Sequence, residues 1–365
     1  MGNNSDKQTR KKNPGGIGPL VRKGFWVWGR TGWQGMCFLL KAGLRLLGAN
    51  IRRRRYQQEL GTTIPTVLVL SVTMSCNYNC QGCYSRGRSE TDELTSAELD
   101  SLLTEAEAAG LLAVVVTGGE PLMRADLLEI IKAHQKLLFI LITNGSLMTS
   151  ESARHIKKSG NIVVLVSIEG SSADTDIRRG SGAHDSALQA MAHLKNAGAF
   201  FGFAATNTAV NSGYLGSDSF INEMIQAGCT AGLLTEYVPC DSSPKQEWIM
   251  DTATRSVFRQ RVLALRSSMP ITLVQFPQDE YGDANLCTGA GRASLHINAQ
   301  GGVEPCPFVP ISLDNIRQGG LKAAILSSFL KAIREQSHLM ARQQMACSLF
   351  EHLEEVEYLA DSFKE

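Results

Sequence analysis

The stretch CNYNCQGC, residues 76–83, places Cys76, Cys80 and Cys83 in one short loop that directly follows an apolar run. Thiols this close together in a reduced chain indicate metal ligation before they indicate packing. Such a loop can surround three corners of an iron-sulfur cube and leave the fourth iron open to a small molecule. A zinc site would normally be completed by a fourth cysteine or histidine nearby, whereas the next cysteine along the chain is Cys229.

The run before this loop begins a regular alternation of apolar, β-rich segments and segments with helical periodicity. Strands are predicted at residues 67–72, 112–117, 137–142, 162–168, 200–206 and 231–238. Helices are predicted at residues 96–109, 125–135, 150–158, 185–197 and 217–227. Strands buried on both faces of a parallel sheet read as continuous apolar runs. We therefore expect an α/β fold, a partial (β/α)6 TIM-like barrel with functional loops at the carboxyl ends of its strands.

The composition bounds the class of protein. A chain of 365 residues with 43% hydrophobic residues can fill a globular core. The nine cysteines are an odd number, and no secretory signal with a small-residue cleavage site precedes them. We therefore expect reduced thiols and a cytoplasmic location, and we do not expect a disulfide framework.

The first 60 residues are strongly basic, with 13 Lys or Arg against two acidic residues. Trp26, Trp28 and Trp33 lie among these cations, and no apolar run reaches the ~18–20 residues that a spanning helix needs. Aromatic and basic residues together favour a helix in a membrane interface, and a helix packed against the catalytic domain is the alternative. The arginine run at 52–55 could meet nucleic-acid phosphates, but such a run is more often solvated or membrane-facing, so no nucleic-acid partner is expected.

The spacing of the three cysteines, followed by Tyr84, resembles the signature of radical S-adenosylmethionine (SAM) enzymes, and the resemblance extends through most of residues 65–310. It implies that Cys76, Cys80 and Cys83 ligate a [4Fe-4S] cluster whose open iron chelates the amino and carboxylate groups of SAM. An electron from the cluster would cleave the sulfonium to methionine and a 5′-deoxyadenosyl radical, which abstracts a hydrogen atom from the substrate.

The sequence TGGEP, residues 117–121, closes the second predicted strand and resembles the Gly-Gly-Glu motif of the same superfamily. The resemblance implies that backbone groups of Gly118 and Gly119 and the side chain of Glu120 bind the methionine amino group, since glycines permit a close approach. Taken alone, the same five residues could be a simple turn.

Three further polar residues follow predicted strands. Asn144 ends the third strand, in a sequence that resembles a strand-end element of the superfamily, and its alternative reading is a strand-to-helix turn. Ser167 at the end of the fourth strand and Arg179 twelve residues later resemble a pair that contacts the ribose or carboxylate of SAM. A hydroxyl and a guanidinium suit that task. Related enzymes often carry aspartate where this chain has Glu169.

A second cysteine set lies near the C-terminus. The segment from Cys287 to Cys306 resembles the opening of the C-terminal extension called SPASM, or its shorter form, twitch, in which a hairpin brings two cysteines onto one auxiliary [4Fe-4S] cluster. Residues 294–298 and 303–304 alternate as paired strands around a Gly-Gly turn. Cys347 is the expected third ligand, and either Cys240 or an open iron would complete the site. The alternative is that the hairpin cysteines merely pack.

These features divide the chain into four expected parts. They are a disordered tail at 1–17, a basic, Trp-rich amphipathic arm at 18–64, the partial barrel at 65–239 and the SPASM/twitch-like module at 240–365. The resemblance implies an enzyme that abstracts hydrogen from a peptide, a lipid or a small metabolite, with an electron donor such as flavodoxin or ferredoxin. The arm adds an expected peripheral contact with the inner face of the membrane through residues 20–60.

The alternative function is an iron-sulfur electron-transfer or cofactor-assembly protein without its own radical turnover. Such a carrier would need neither the Gly-Gly-Glu motif nor the pair Ser167 and Arg179, so their joint presence favours the enzyme. The sequence identifies no catalytic acid or base.

Overall fold

The computed structural model describes residues 17–240, 243–281 and 285–364, with side chains from Phe38 onward. Residues 1–16 of the predicted tail lie outside the described residues. So do the side chains of Cys37 and of the three tryptophans of the arm.

One continuous sheet organises the described part of the chain. Its ten strands are β1 Val67–Thr73, β2 Ala113–Gly118, β3 Leu138–Thr143, β4 Ile162–Ser167, β5 Phe201–Asn207, β6 Ala231–Glu236, β7 Thr272–Phe276, β8 Ser294–Ile297, β9 Gly302–Glu304 and β10 Asp314–Asn315. Their order is β10-β9-β8-β1-β2-β3-β4-β5-β6-β7. Neighbouring strands from β1 to β7 are all parallel, and β8 lies parallel to the other edge of β1. Strands β9 and β10 are antiparallel additions.

Helices connect the parallel strands and cover the sheet. Those of the N-terminal part and the barrel are α1 Ile17–Leu60, α2 Ser96–Ala109, α3 Leu127–Ala133, α4 Ser150–Ser159, α5 Ser172–Arg179, α6 Ala183–Ala197, α7 Ser212–Leu215, α8 Asp218–Ala227 and α9 Thr252–Ser268. Those that follow the hairpin are α10 Gly320–Ile325, α11 Ser328–Glu335, α12 Ser337–Met340, α13 Ser348–Glu351 and α14 Leu353–Asp361. The predicted fold class, an α/β partial barrel with a small C-terminal module and a basic N-terminal helix, is confirmed.

Local sequence explains why these elements form where they do. Helix α2 begins at the capping box of Thr95 and Glu98, in which each side chain accepts a hydrogen bond from the backbone N–H of the other residue. It ends at Gly110, whose φ of 76° is left-handed. A Cβ at Gly110 would lie 2.3 Å from the backbone nitrogen of Arg53, so this glycine also lets α1 pack closely on the barrel.

Two elements differ from expectation because their apolar patterns are weak. The seventh parallel strand, β7, alternates exposed and buried residues, as an edge strand does, and lacks a continuous apolar run. Helix α5 buries only Thr175, so it carries almost no apolar periodicity. Helices α10 and α11 are separate because the Ser327 side chain caps the start of α11 by accepting a hydrogen bond from the Leu330 N–H.

The hairpin predicted around the Gly-Gly turn is present as β8 and β9, and it extends the barrel sheet. The backbone of Val67 pairs with Ser294, and Leu70 pairs with Ile297. The limits of 65–239 and 240–365 stay a prediction, since the sheet itself continues past residue 239 on both edges. Among the described residues, no helix is long and apolar enough to cross a membrane.

Candidate active site

A cavity of about 410 Å³ opens at the carboxyl ends of the parallel strands. All nine residues predicted for the first cluster and for SAM line it: Cys76, Cys80, Cys83, Gly118, Gly119, Glu120, Asn144, Ser167 and Arg179. They lie at the carboxyl ends of β1 to β4 or in the segments that follow these strands, which parallel topology brings to one edge of the sheet. The structure therefore gathers residues spread over more than 100 positions into one site, while their individual roles stay predictions.

The three-cysteine loop is tied to its surroundings through its backbone. The N–H of Gln81 donates to the carbonyl of Arg178 at 2.8 Å. Gly82 has a left-handed φ of 63°, and a Cβ there would lie 2.7 Å from the ring of Tyr237. The loop can therefore follow this path only with glycine at that position.

The thiols of this loop differ in exposure. Cys76 is exposed, Cys80 is buried and Cys83 is intermediate. Burial raises the pKa of the Cys76 thiol. It also raises the pKa of Cys80, although the guanidiniums of Arg179 and Arg178 lie nearby and act in the opposite sense. A positively charged group in the cavity would favour the thiolate form of both.

The donor set fits an iron-sulfur cluster better than a single metal ion. Within the described ranges, no three His, Cys, Asp or Glu side chains converge as the ligands of one ion would. A four-iron cluster takes each thiolate on a different iron, so its ligands surround a volume and do not meet at a point. The buried Nε of Arg178, which has no hydrogen-bond partner among the described residues, also points to an occupant of this region.

The two glycines of the TGGEP motif press against the backbone that leads into the cysteine loop. A Cβ on Gly118, whose φ is 123°, would lie 2.2 Å from the carbonyl oxygen of Thr73. A Cβ on Gly119 would lie 2.2 Å from that of Ser75. The Glu120 N–H donates to the Ser75 carbonyl at 2.9 Å. Any side chain at either glycine would displace the segment directly before Cys76.

Glu120 joins the ends of β2 and β3. Its carboxylate is 1% exposed and accepts hydrogen bonds from the Thr143 hydroxyl at 2.7 Å, the Asn144 N–H at 2.7 Å and the Leu122 N–H at 3.0 Å. Burial raises the pKa of Glu120, and these hydrogen bonds oppose the rise. The side-chain nitrogen Nδ2 of Asn144 in turn donates to Oδ1 of Asn77 in the cysteine loop at 2.9 Å. One hydrogen-bonded chain thus connects three of the strand-end loops.

Glu169, whose role the sequence leaves open, holds two arginines. Its Oε1 accepts from Arg178 Nη1 at 2.6 Å and from Arg179 Nε at 2.7 Å, and its Oε2 accepts from the Thr206 N–H at 2.7 Å. Burial alone would raise the pKa of Glu169, but the two guanidiniums and the N–H outweigh burial and lower it. Arg179, a predicted SAM contact at the end of α5, is therefore oriented by a carboxylate at the end of β4.

The wall of the cavity at the end of β6 contains a residue that was not predicted from the sequence. Glu236 at the end of β6 lines it and accepts from Arg255 of α9 at 2.7 Å and from Gln278 at 3.3 Å. Burial raises the pKa of Glu236 against the effect of Arg255. An acidic residue that closes an apolar strand is the one signal that could have identified Glu236. No sequence pattern indicated its arginine partner.

The structure brings together the three cysteines predicted for the auxiliary site. The thiol of Cys306 hydrogen-bonds that of Cys347, which raises the pKa of Cys306 and lowers that of Cys347. Cys287 lies close to both, and burial, with a contribution from Cys347, raises its pKa to about 12. Cys240 is half-buried after β6, and its place as a fourth ligand stays a prediction.

The two cysteine sites are in structural contact. Phe308, two residues after Cys306, lines the first cavity. Its ring packs nearly perpendicular to the Tyr84 ring, with 5.8 Å between the ring centroids. Arg88, in the segment after the first cysteine loop, pairs with Glu304 of the hairpin at 3.0 Å. The loop that carries Cys306 therefore forms part of the wall of the first cavity.

These features together define a partial-barrel iron-sulfur enzyme. The Radical SAM superfamily matches residues 70–208, which run from within β1 through the cysteine loop to the end of β5. This part of the chain is a radical SAM domain, and enzymes of that superfamily use a [4Fe-4S] cluster and SAM. The AdoMet-dependent heme synthase of Oleidesulfovibrio alaskensis is 27% identical over 289 residues, covering 71% of this chain and 74% of that protein. Mycofactocin maturase MftC of Mycolicibacterium smegmatis is 28% identical over 271 residues, covering 69% and 67%.

Solved structures share the fold. Streptococcus suis SuiB bound to S-adenosylmethionine superimposes with a TM-score of 0.67 at 17% identity, over 78% of this chain and 71% of that one. The enzyme anSMEcpe with bound AdoMet superimposes with a TM-score of 0.62 at 14% identity, over 82% and 100%. The superfamily match and the curated relatives confirm the expected enzyme class with its [4Fe-4S] cluster and SAM, and the auxiliary cluster stays a prediction.

Proposed function

We propose that this enzyme binds SAM in the cavity at the strand ends, over a [4Fe-4S] cluster held by Cys76, Cys80 and Cys83. When bound, the cluster and SAM supply the 5′-deoxyadenosyl radical that removes a hydrogen atom from the substrate. The observation that carries this proposal is the convergence of all nine predicted residues on one cavity. The residues of the chain would position the cluster and SAM, provide charged groups around them and exclude water from the cavity.

The chain's own residues suit the groups of SAM. Glu120 and the close backbone of Gly118 and Gly119 would receive the amino group, since the carboxylate is rigidly held and buried. Arg179 uses Nε and Nη2 on Glu169, and Nη1 is then available for a carboxylate or a ribose hydroxyl.

The two remaining positions would complete the SAM contacts. Ser167 is buried at the end of β4 and would add a hydroxyl. Asn144 follows β3, the neighbour of β4, and would add a side-chain amide.

We propose a peptide or a small protein as the substrate. SuiB has been solved bound to precursor peptide SuiA, and anSMEcpe with a peptide. The similarity to a mycofactocin maturase is compatible with this class. A small-molecule substrate is the second candidate, and the similarity to heme synthases favours it. A lipid is the third, and it depends on the basic arm.

We further propose one auxiliary [4Fe-4S] cluster at Cys287, Cys306 and Cys347, completed by Cys240 or by an iron left open to the substrate. The hydrogen bond between the Cys306 and Cys347 thiols, with Cys287 close enough to interact electrostatically with both, supports this assignment over simple packing. Phe308 follows Cys306 closely and forms part of the wall of the first cavity. A substrate bound in the first cavity would therefore lie between the two cysteine sites.

The remaining partners follow from the chemistry. A reduced flavodoxin or ferredoxin would supply the electron. We place the enzyme in the cytoplasm, with a peripheral contact to the inner face of the membrane through residues 20–60, and we propose no nucleic-acid partner.

The first test is SAM cleavage. Anaerobically reconstituted protein given dithionite and SAM is expected to form 5′-deoxyadenosine, and replacing Cys76, Cys80 and Cys83 by alanine should abolish it. The control is Cys229→Ala, because that thiol is buried away from both sites. Undiminished product from the triple variant would refute the assignment.

The second test counts clusters and identifies the substrate class. Iron should approach about eight per chain and fall to about four when Cys287 and Cys306 are both replaced by alanine. An unchanged value near four would show that the hairpin cysteines are structural. Transfer of deuterium from a labelled peptide encoded beside this gene into 5′-deoxyadenosine would support a peptide substrate, and its absence with transfer from a small molecule would favour the second candidate.

A further inference from the structure

Helix α1 is bound to the barrel along one face. Ala49 on that face is 1% exposed, and the ring of Phe38 stacks on Phe200 with 4.2 Å between centroids. Arg45 donates to the carbonyls of Gln135 and Gly160, both at 2.8 Å. This half of the helix is therefore a packed structural element, fixed in orientation by the catalytic body.

The opposite face carries a row of exposed apolar side chains. Leu40, Leu44, Leu47 and Ile51 are 58%, 69%, 64% and 56% exposed. Their spacing of four, three and four residues places them on one side of the helix, about half a turn away from Ala49. We call this row the outer stripe. Leucines this exposed and this regularly spaced are unusual on a monomer and mark an interaction surface.

Cations border the outer stripe. Residues 38–60 contain six Lys or Arg and one acidic residue. Lys41, Arg54 and Arg55 are exposed beside the stripe. Within the described part of the chain, none of the six pairs with a carboxylate, and Arg45 and Arg52 donate to backbone carbonyls instead.

A groove of about 320 Å³ runs along one side of the stripe, between α1 and residues 135–136. Leu44 of the stripe lines it together with Lys41, Arg45, Arg52 and Lys136. The Nη2 of Arg52 is buried without a hydrogen-bond partner among the described residues. The groove is therefore suited to negatively charged oxygen atoms, and it lies directly beside apolar side chains.

We infer that the outer stripe is the surface by which this enzyme docks on an anionic lipid membrane, with the leucines among the acyl chains and the bordering cations at the headgroups. This deepens the peripheral contact in the proposed function and rests on it. A second copy of the stripe would bring the bordering cations Lys41, Arg54 and Arg55 against the same three cations, and nucleic acid would leave the leucines without a partner. An anionic bilayer satisfies both features.

The packed face gives this docking a consequence for the enzyme. Because α1 is held to the barrel by Ala49, Arg45 and Arg52, a membrane bound at the outer stripe would hold the barrel in one orientation. The surface is thus part of the catalytic body and does not hang from a flexible linker.

The test is flotation of the full-length holoenzyme with vesicles of phosphatidylcholine containing about one third phosphatidylglycerol, at low and high salt. Leu44→Ser with Leu47→Ser should weaken binding by roughly a hundredfold, since each inserted leucine contributes about tenfold. The matched control is Val257→Ser on α9, a 68% exposed apolar residue outside the stripe, which should bind as wild type. Arg54→Gln with Arg55→Gln should lower binding by about tenfold or more on anionic vesicles and have little effect on phosphatidylcholine alone.

Several outcomes would overturn the inference. They are equal flotation of wild type and the leucine double variant, equal binding to neutral and anionic vesicles, or concentration-dependent dimers in sedimentation that the leucine substitutions abolish. Both double variants should keep full iron content and form 5′-deoxyadenosine at the wild-type rate in vesicle-free solution. This readout separates failure of the docking surface from failure of the proposed chemistry.

Discussion

Replacing Glu169 by glutamine is expected to loosen the centre of the candidate SAM site without adding bulk. Its carboxylate is 1% exposed and holds Arg178 and Arg179 on one oxygen, at 2.6 and 2.7 Å. Glutamine keeps the shape and one acceptor oxygen but loses the charge, and its NH2 group would face the Thr206 N–H that now donates to Oε2. Two buried guanidiniums would then lack a counter-charge.

Removing one partner of a buried ion pair costs about 3–5 kcal/mol, because the remaining charge is left uncompensated. Glutamine retains part of the hydrogen bonding, so we expect the lower end, about 3 kcal/mol. At roughly 2–4 °C per kcal/mol for a domain of this size, the melting temperature should fall by roughly 6–12 °C. Arg179 would also lose its orientation, and SAM should bind roughly tenfold more weakly.

The pH dependence has a defined sign. The arginines lower the pKa of Glu169 in the folded protein despite its burial. A carboxylate whose pKa is lower in the folded than in the unfolded protein stabilises the fold at pH values above the ordinary glutamate pKa of about 4.3. This stabilisation is lost as the pH falls through the pKa that Glu169 has in the folded protein. The difference in melting temperature between wild type and Glu169→Gln should therefore be full at neutral pH and shrink below about pH 4.

Thermal unfolding followed by circular dichroism and equilibrium dialysis with SAM measure the two effects. Glu151→Gln is the control, because this exposed carboxylate on α4 lies away from the cavity and its replacement should cost less than about 0.5 kcal/mol. A melting temperature for Glu169→Gln within about 1 °C of the control at neutral pH would refute the reasoning, since it would show that the arginines do not depend on this charge.

Two further predictions concern the connections of the cysteine loop. Gly119→Ala would place a Cβ 2.2 Å from the Ser75 carbonyl oxygen. This substitution should lower the free energy of unfolding by about 1–3 kcal/mol and reduce iron uptake on reconstitution. The control Gly213→Ala, which has open space around its Cβ position, should have neither effect. Arg88→Gln would remove one cation from the buried Glu304, which keeps hydrogen bonds to His296 and Asn298, so it should cost about 2 kcal/mol at neutral pH in chemical denaturation, with a smaller loss below pH ~4 where the carboxylate becomes protonated. Equal iron content in the two glycine variants, or an Arg88→Gln loss independent of pH, would contradict these expectations.

The barrel was predictable because its elements obey local rules. The predicted bounds of the first six strands agree with the structure to within two residues at each end, since these strands are predominantly apolar and largely buried in the sheet. Helix α2 was predicted at its observed bounds, because Thr95, Glu98 and Gly110 provide its start and stop signals.

The resemblance to the superfamily selected the nine site residues, and parallel topology, which places every strand end at the same edge, predicts that they gather at one cavity. Pairings between distant elements could not be predicted in this way. Glu169 clamps arginines nine and ten residues away, and Glu236 meets Arg255 across 19 residues. Nothing in the sequence near an isolated carboxylate specifies which of several arginines the tertiary fold will bring to it.

The position of β8 along the free edge of β1 has a consequence for how the chain folds. Ser71 of β1 and His296 of β8 are hydrogen-bonded at 3.0 Å although they are 225 residues apart. During synthesis, β1 and the cysteine loop that follows it emerge long before the strand that covers their edge. Contacts of such long range form slowly, and until they form, the unpaired edge of β1 is open to pairing with another chain. Truncated products that end before residue 294 should therefore aggregate.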